Sequence, residues 1–130
     1  MTSPVHETRI ALTVPDLAAA LSFYRDALGL FELDSWEGPE GSGALLDAGP
    51  ATIELLSPGQ AAYIDEIEVG LPVSGPVRLA LQVDESDTVA ARLVGAGGRL
   101  AGEPVLTPWG HRDTRIVAPD GMQLTLFELV

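Results

Sequence analysis

The sequence predicts an α+β fold: two copies of a βαβββ unit of about sixty residues, joined in one domain whose strands curve around a small-molecule site. Three observations predict it. The segment Arg9-Ile10-Ala11-Leu12-Thr13-Val14 returns as Arg78-Leu79-Ala80-Leu81-Gln82-Val83. An acidic cap signal and an Ala/Leu-rich helical stretch follow each copy. The closing strands also match, Ile53-Glu54-Leu55 against Leu124-Thr125-Leu126. Arg9 to Arg78 is 69 positions and Glu54 to Thr125 is 71, the near-constant offset a duplicated unit requires.

Each element has a local reason. The opening strands alternate apolar with small or polar residues, the period of a half-buried strand. The first helix begins near Asp16, carries Leu17, Leu21, Tyr24 and Leu28 on one stripe, and stops at Gly29. The second begins around Asp84 to Ser86, carries Val89 and Leu93, and stops in the Gly95 to Gly98 cluster. Asp or Ser before a helix satisfies its free amides, and Gly after it takes the left-handed conformation. Three shorter strands are expected after each helix, at 30–36, 44–47 and 52–56, then at 99–106, 112–118 and 122–127. Pro119-Asp120-Gly121 supplies the last hairpin turn. Module 1 thus spans about 7–57, a linker about 58–76, and module 2 about 77–130 of a single domain, 1–130. Within the linker, Tyr63 to Val69 forms a short helix or a loop over the site.

Composition narrows the function classes. With 130 residues, 46% hydrophobic and 20% charged, the chain has the mix of a globular domain able to fold without staples. It has no cysteine, which excludes disulfides, thiolate nucleophiles and cysteine metal sites. No apolar stretch approaches the ~18 residues that span a bilayer, and the N-terminus lacks a signal pattern, so the expected location is cytoplasmic, with no membrane partner. A net charge of −12 argues against nucleic acid, whose phosphates need a basic surface. The acidic field attracts cations or serves only to keep the protein soluble. All seven basic residues are Arg.

Strand alternation sorts the faces. Ile10, Leu12, Val14, Leu79, Leu81, Val83, Ile53, Leu55, Leu124 and Leu126 fall together and are expected beneath the helices. The opposite face carries Arg9, Ala11, Thr13, Arg78, Ala80, Gln82, Glu54, Gln123, Thr125 and Phe127. Small, polar and charged residues mixed in this way line a cleft rather than a core.

Laid out like this, the chain resembles the vicinal oxygen chelate superfamily, which includes glyoxalase I, bleomycin-resistance proteins and extradiol dioxygenases. The motifs that carry the resemblance are Val14-Pro15-Asp16-Leu17 with Phe23-Tyr24-Arg25-Asp26-Ala27-Leu28-Gly29-Leu30. The second set is Trp109-Gly110-His111-Arg112 with Pro119-Asp120-Gly121 and Leu124 to Glu128. The resemblance implies a U-shaped mixed sheet with a concave cleft, assembled as a homodimer. It also implies four metal-ligand places on the first and last strands of the modules, here Arg9, Glu54, Arg78 and Thr125. Only Glu54 is a ligand type. Arginine is permanently protonated and a donor only, so the expectation is no metal and no cofactor.

The expected ligand-binding residues are Arg9, Arg78, Thr125, Trp109, His111 and Arg112. Arg9 or Arg78 grips a ligand oxygen, or both pair with Glu54 in a structural triad. Trp109 and Trp36 stack on a flat ligand or fill the core. His6 sits out of phase with Arg9 and is not expected on the cleft face. The reading this favours is a metal-free protein that binds or sequesters a small, antibiotic-like organic ligand. The alternative is a lyase, isomerase or dioxygenase-type enzyme with Glu54 as acid or base, with or without a divalent metal. A carboxylate between two arginines is expected to have a lowered pKa, which makes a poor base. A third arrangement holds a metal through Glu54, Glu7 or His111.

Overall fold

The computed structural model describes residues 3–130. The first module runs β1 (Glu7–Thr13), α1 (Leu17–Leu21), β2 (Phe31–Gly38), β3 (Gly41–Asp47) and β4 (Thr52–Leu56). Helix α2 (Pro58–Glu68) follows. The second module runs β5 (Val77–Gln82), α3 (Ser86–Gly95), β6 (Arg99–Leu100), β7 (Val105–Leu106), β8 (His111–Val117) and β9 (Gln123–Leu129). All nine strands form one open mixed sheet in the order β2-β3-β4-β1-β5-β9-β8-β6, with β7 also on β8. β1 lies parallel to β4 and β5 parallel to β9, and the antiparallel β1–β5 pair joins the modules. No helix among the described residues is long and apolar enough to cross a membrane.

Helices α1 and α3 cover one face. Leu12, Ile53, Leu55, Ala44 and Leu46 pack with Leu17, Leu21 and Tyr24 under α1. Leu81, Leu124, Leu126 and Ile116 pack with Val89, Ala90 and Leu93 under α3. Period-2 strands against a period-3.6 helix give these two cores.

Three local expectations need correction. First, α1 passes into a wide turn over Ser22–Ala27, with the Leu28 amide donating to the Phe23 carbonyl five residues back. The extra residue per turn shifts the stripe, so Leu28 is exposed and Leu30 packs in its place. Second, the single strand expected over 99–106 is two short ones. The break falls at Gly102, whose Cα lies so close to the Glu68 carbonyl that no side chain fits. Third, no preceding side chain caps α3. Glu128 on β9 does so from a distance, accepting from the Ser86 amide at 2.7 Å and the Ser86 hydroxyl at 2.9 Å.

In the linker, the helical one of the two readings holds, and the helix starts earlier than Tyr63. An eleven-residue helix, α2, occupies most of the linker and packs on the concave face, where Ala61 and Ile64 meet Ala11, Leu56 and Trp36. Ser57 caps it by accepting from the Gln60 amide at 3.2 Å, and Pro58 takes the first turn, where no amide is needed.

Candidate functional site

The sheet register builds the site. Along one row across the strands lie Glu54, Ala11 and Arg78; along the next lie Arg9, Ala80 and Thr125. Two alanines at the seam leave space over the sheet. The resulting cleft encloses about 440 Å³. Arg9, Glu54, Arg78, Ala80, Thr125 and Phe127 line it from the central strands. Asp34 and Trp36 come from β2, Gln60, Ile64 and Glu68 from α2, and Trp109, His111 and Asp113 from the β8 side. Trp36 faces Gly43 across β2–β3, and a side chain at Gly43 would collide with the indole.

The arginines are tied more closely to other partners than to Glu54. Arg78 is 4% exposed and donates Nη1 to the Thr125 hydroxyl at 2.8 Å, which donates to Glu68 at 2.7 Å. Arg9 donates Nε and Nη2 to Glu7 at 2.9 and 3.1 Å and lies 4.8 Å over the Phe127 ring. Glu54 stands 3.7 Å from Arg9 Nη1 and 3.8 Å from Arg78 Nη2. Those are charge contacts, beyond hydrogen-bond reach. The expected triad is therefore loose at its centre.

The protonation behaviour of Glu54 reverses the expectation. Burial raises its pKa, and the charges of Arg78 and Arg9 offset only part of that rise. The pKa of Asp113 is raised as well. Burial and the neighbouring Glu68 carboxylate push it up to about 9, so the side chain is a neutral acid at pH 7. Burial and then the Arg9 charge lower the pKa of His111. Its 4.0 Å approach to Asp113 thus joins two neutral groups and is no ion pair.

Of the sequence candidates, Arg9, Glu54, Arg78, Thr125, Trp109 and His111 meet at the cleft. Arg112 does not. It projects from the other face of β8 and grips Asp87 on α3 at 3.0 and 3.1 Å, because its neighbours His111 and Asp113 take the inward positions of the alternating strand. His6 pairs with Asp84 at 2.9 Å, away from the cleft.

Sequence reasoning missed Glu68, Asp113 and Arg115. Arg115 is fully buried, with Nε on Glu68 at 3.0 Å and Nη1 on Gln123 at 3.1 Å. Its Nη2 is 3.0 Å from Asp65, though not aligned for a hydrogen bond. Burial alone would raise the Asp65 carboxyl, but hydrogen bonds from Ser74 and the Arg115 charge outweigh it and hold the pKa low. This network pins α2 to the sheet. The missed signals were the Ser57…Gln60 capping pattern and the alternation His111, Asp113, Arg115 along β8.

The model of the Glyoxalase/Bleomycin resistance protein/Dioxygenase superfamily matches residues 8–126. The chain belongs to this superfamily. Among solved structures it is similar to a hypothetical protein from Bacillus halodurans C-125, with 21% identity, 94% of this chain and 92% of that one covered, and a TM-score of 0.70. A methylmalonyl-CoA epimerase from Mycobacterium tuberculosis gives 24% identity, coverage of 100% and 92%, and a TM-score of 0.69. A glyoxalase/bleomycin resistance protein/dioxygenase superfamily member from Vibrio splendidus 12B01 gives 17%, 94% and 97%, and 0.64. At these identities the likeness shows the fold alone. A search of curated protein sequences found no match.

The metal that the superfamily resemblance implies does not fit these donors. Two guanidinium groups occupy two of its four places, and each repels a divalent cation. No three His, Asp or Glu side chains among the described residues are grouped to hold one.

Proposed function

We propose that this glyoxalase/bleomycin-resistance-like protein binds a small organic molecule in its concave cleft without a divalent metal. One observation carries the reading: the places of the superfamily's metal ligands hold Arg9, Glu54, Arg78 and Thr125, and three of these four are hydrogen-bonded into the protein's own polar network. Around them stand four aromatic side chains, Trp36, Trp109, His111 and Phe127, in a volume suited to a small ligand. Natively purified protein, examined by native mass spectrometry with elemental analysis of the same sample, tests it. The expected result is an organic adduct and well under one transition metal per chain. A stoichiometric metal that supports turnover of a hemithioacetal overturns it.

A specific observation favours a second reading, a metal-free acid–base enzyme. Glu54 has a raised pKa and lies against the cleft with both oxygens outside hydrogen-bond reach of the arginines, which suits a proton acceptor. Glu54→Gln separates the two readings: a binding protein keeps its adduct, whereas an enzyme accumulates unconverted substrate.

The functional unit is proposed to be a homodimer in the cytoplasm. β2 ends the sheet and exposes Phe31 and Leu33, and an open apolar edge of this kind is closed by pairing with a second copy. Light scattering at micromolar concentration is expected to give twice the 13.6 kDa chain mass. A monomer there counts against the dimer.

A further inference from the structure

The cleft floor presents carboxyl oxygens that no hydrogen bond from the described residues satisfies. Arg9 spends two donor groups on Glu7, and Arg78 gives Nη1 to Thr125. The Thr125 hydroxyl gives its own hydrogen to Glu68. The remaining Nη groups turn toward Glu54 from 3.7 and 3.8 Å, too far to satisfy its oxygens. Asp113 is 2% exposed, and its Oδ1 has no hydrogen-bond partner among the described residues. A buried acceptor is normally paired, so the unpartnered Asp113 oxygen, in one cleft with the Glu54 carboxyl, points to a ligand that donates.

Resting on the binding reading above, we propose that the cleft takes a planar nitrogen heterocycle whose N–H groups donate to Glu54 and Asp113 and whose ring lies among the aromatic side chains of the lining. His111 and Phe127 stack on each other with centroids 5.0 Å apart and planes at 21°, and Arg9 lies over Phe127, which leaves Trp36 and Trp109 as the other aromatic surfaces of the lining. One or two fused rings suit a volume of about 440 Å³. The neutral state of Asp113 sharpens the choice. Its hydroxyl serves the Glu68 carboxylate, leaving a carbonyl oxygen as acceptor. An anionic ring would meet Asp34, Glu54 and Glu68 in a cleft whose lining carries two cations, Arg9 and Arg78, and a buried charge without a full partner is costly.

The test uses three rings of similar size: 2-aminobenzimidazole, which carries N–H donors; quinoline, which has none; and 2-naphthoate, which is anionic. Each is titrated into the full chain while the indole N–H resonances of Trp36 and Trp109 are followed; they are the only two tryptophans. 2-Aminobenzimidazole is expected to shift both signals and to bind at least about tenfold more tightly than either of the others, the scale of a hydrogen bond to a charged group. Asp113→Asn keeps the carbonyl and can still donate to Glu68, so its affinity should stay within about threefold, whereas Asp113→Val should lose about tenfold. The wild-type ranking decides the matter even where the valine variant does not fold. Quinoline or 2-naphthoate binding as tightly as the amine overturns this inference and leaves the binding reading standing. Silence from all three rings overturns it too, while the native mass spectrum separately reports whether any organic molecule is bound.

Discussion

Replacing Arg115 by Met is expected to destabilise the fold by about 3–5 kcal/mol, the cost of stripping a buried carboxylate pair of its cation. Arg115 has no exposed surface, and Asp65 and Glu68 beside it are almost as deeply buried. Methionine fills the volume but leaves both carboxylates without their cation, held only by the hydrogen bonds from Val73 and Ser74 to Asp65 and from Thr125 to Glu68. Against a total stability of about 5–15 kcal/mol, that loss is large, and Tm should fall by more than about 10 °C. Urea melts would measure it. Adding Asp65→Asn and Glu68→Gln to Arg115→Met should recover part of the loss, because neutral partners no longer need a cation. A single variant that melts with the wild type would show that the network contributes nothing. The consequence reaches the cleft. Glu68 binds Arg115 and Thr125 through the same Oε1, so releasing α2 also loosens the Thr125–Arg78 link on the floor. Hydrogen exchange along 58–68 should rise in Arg115→Met well before global unfolding.

How far the site was legible follows from strand geometry. Arg9, Ala11, Arg78 and Ala80 sit in strands where alternation is clean, so their shared face could be read directly, and Glu54 and Thr125 followed from the repeat. The same alternation in β8 turns His111, Asp113 and Arg115 inward and Arg112 outward. The Trp-Gly-His-Arg motif drew attention to Arg112 instead. The first turns of helix α2 stayed hidden, because Pro58-Gly59 reads as a loop unless Ser57 and Gln60 are recognised as its cap, and over Tyr63 to Val69 helix and loop remained open. Its Ala61 and Ile64 form too short an apolar stripe to announce a buried face. Without α2 there was no reason to place Glu68 beside Asp113, and so no reason to expect either acid on the floor. The pKa of Glu54 was misjudged for a related reason. Sequence shows which charges are near but not that they stop at 3.7 and 3.8 Å, where burial outweighs their attraction.

Asp113 should make the protein less stable as pH rises across the neutral range. Its folded pKa is raised to about 9 from the ordinary 3.8, so the folded state holds a proton that the unfolded chain releases. The stability linked to that proton is fully present below the unfolded pKa and is lost progressively as pH climbs toward the folded one. The groups facing Asp113 are Glu68, whose negative charge disfavours ionisation, Arg78 and Arg115, which favour it only in part, and the neutral His111. Asp113→Asn removes the titration while keeping a similar shape and a donor toward Glu68. Near pH 4 the variant and the wild type should therefore be close in stability. Between pH 5 and pH 8 the variant should gain about 2 kcal/mol relative to the wild type, about half of the ceiling set by one proton over three pH units. Denaturant melts at pH 5, 6.5 and 8 measure the difference. A gap that stays constant over that range would mean that Asp113 is ionised in the folded protein and that Glu68 does not hold its proton in place.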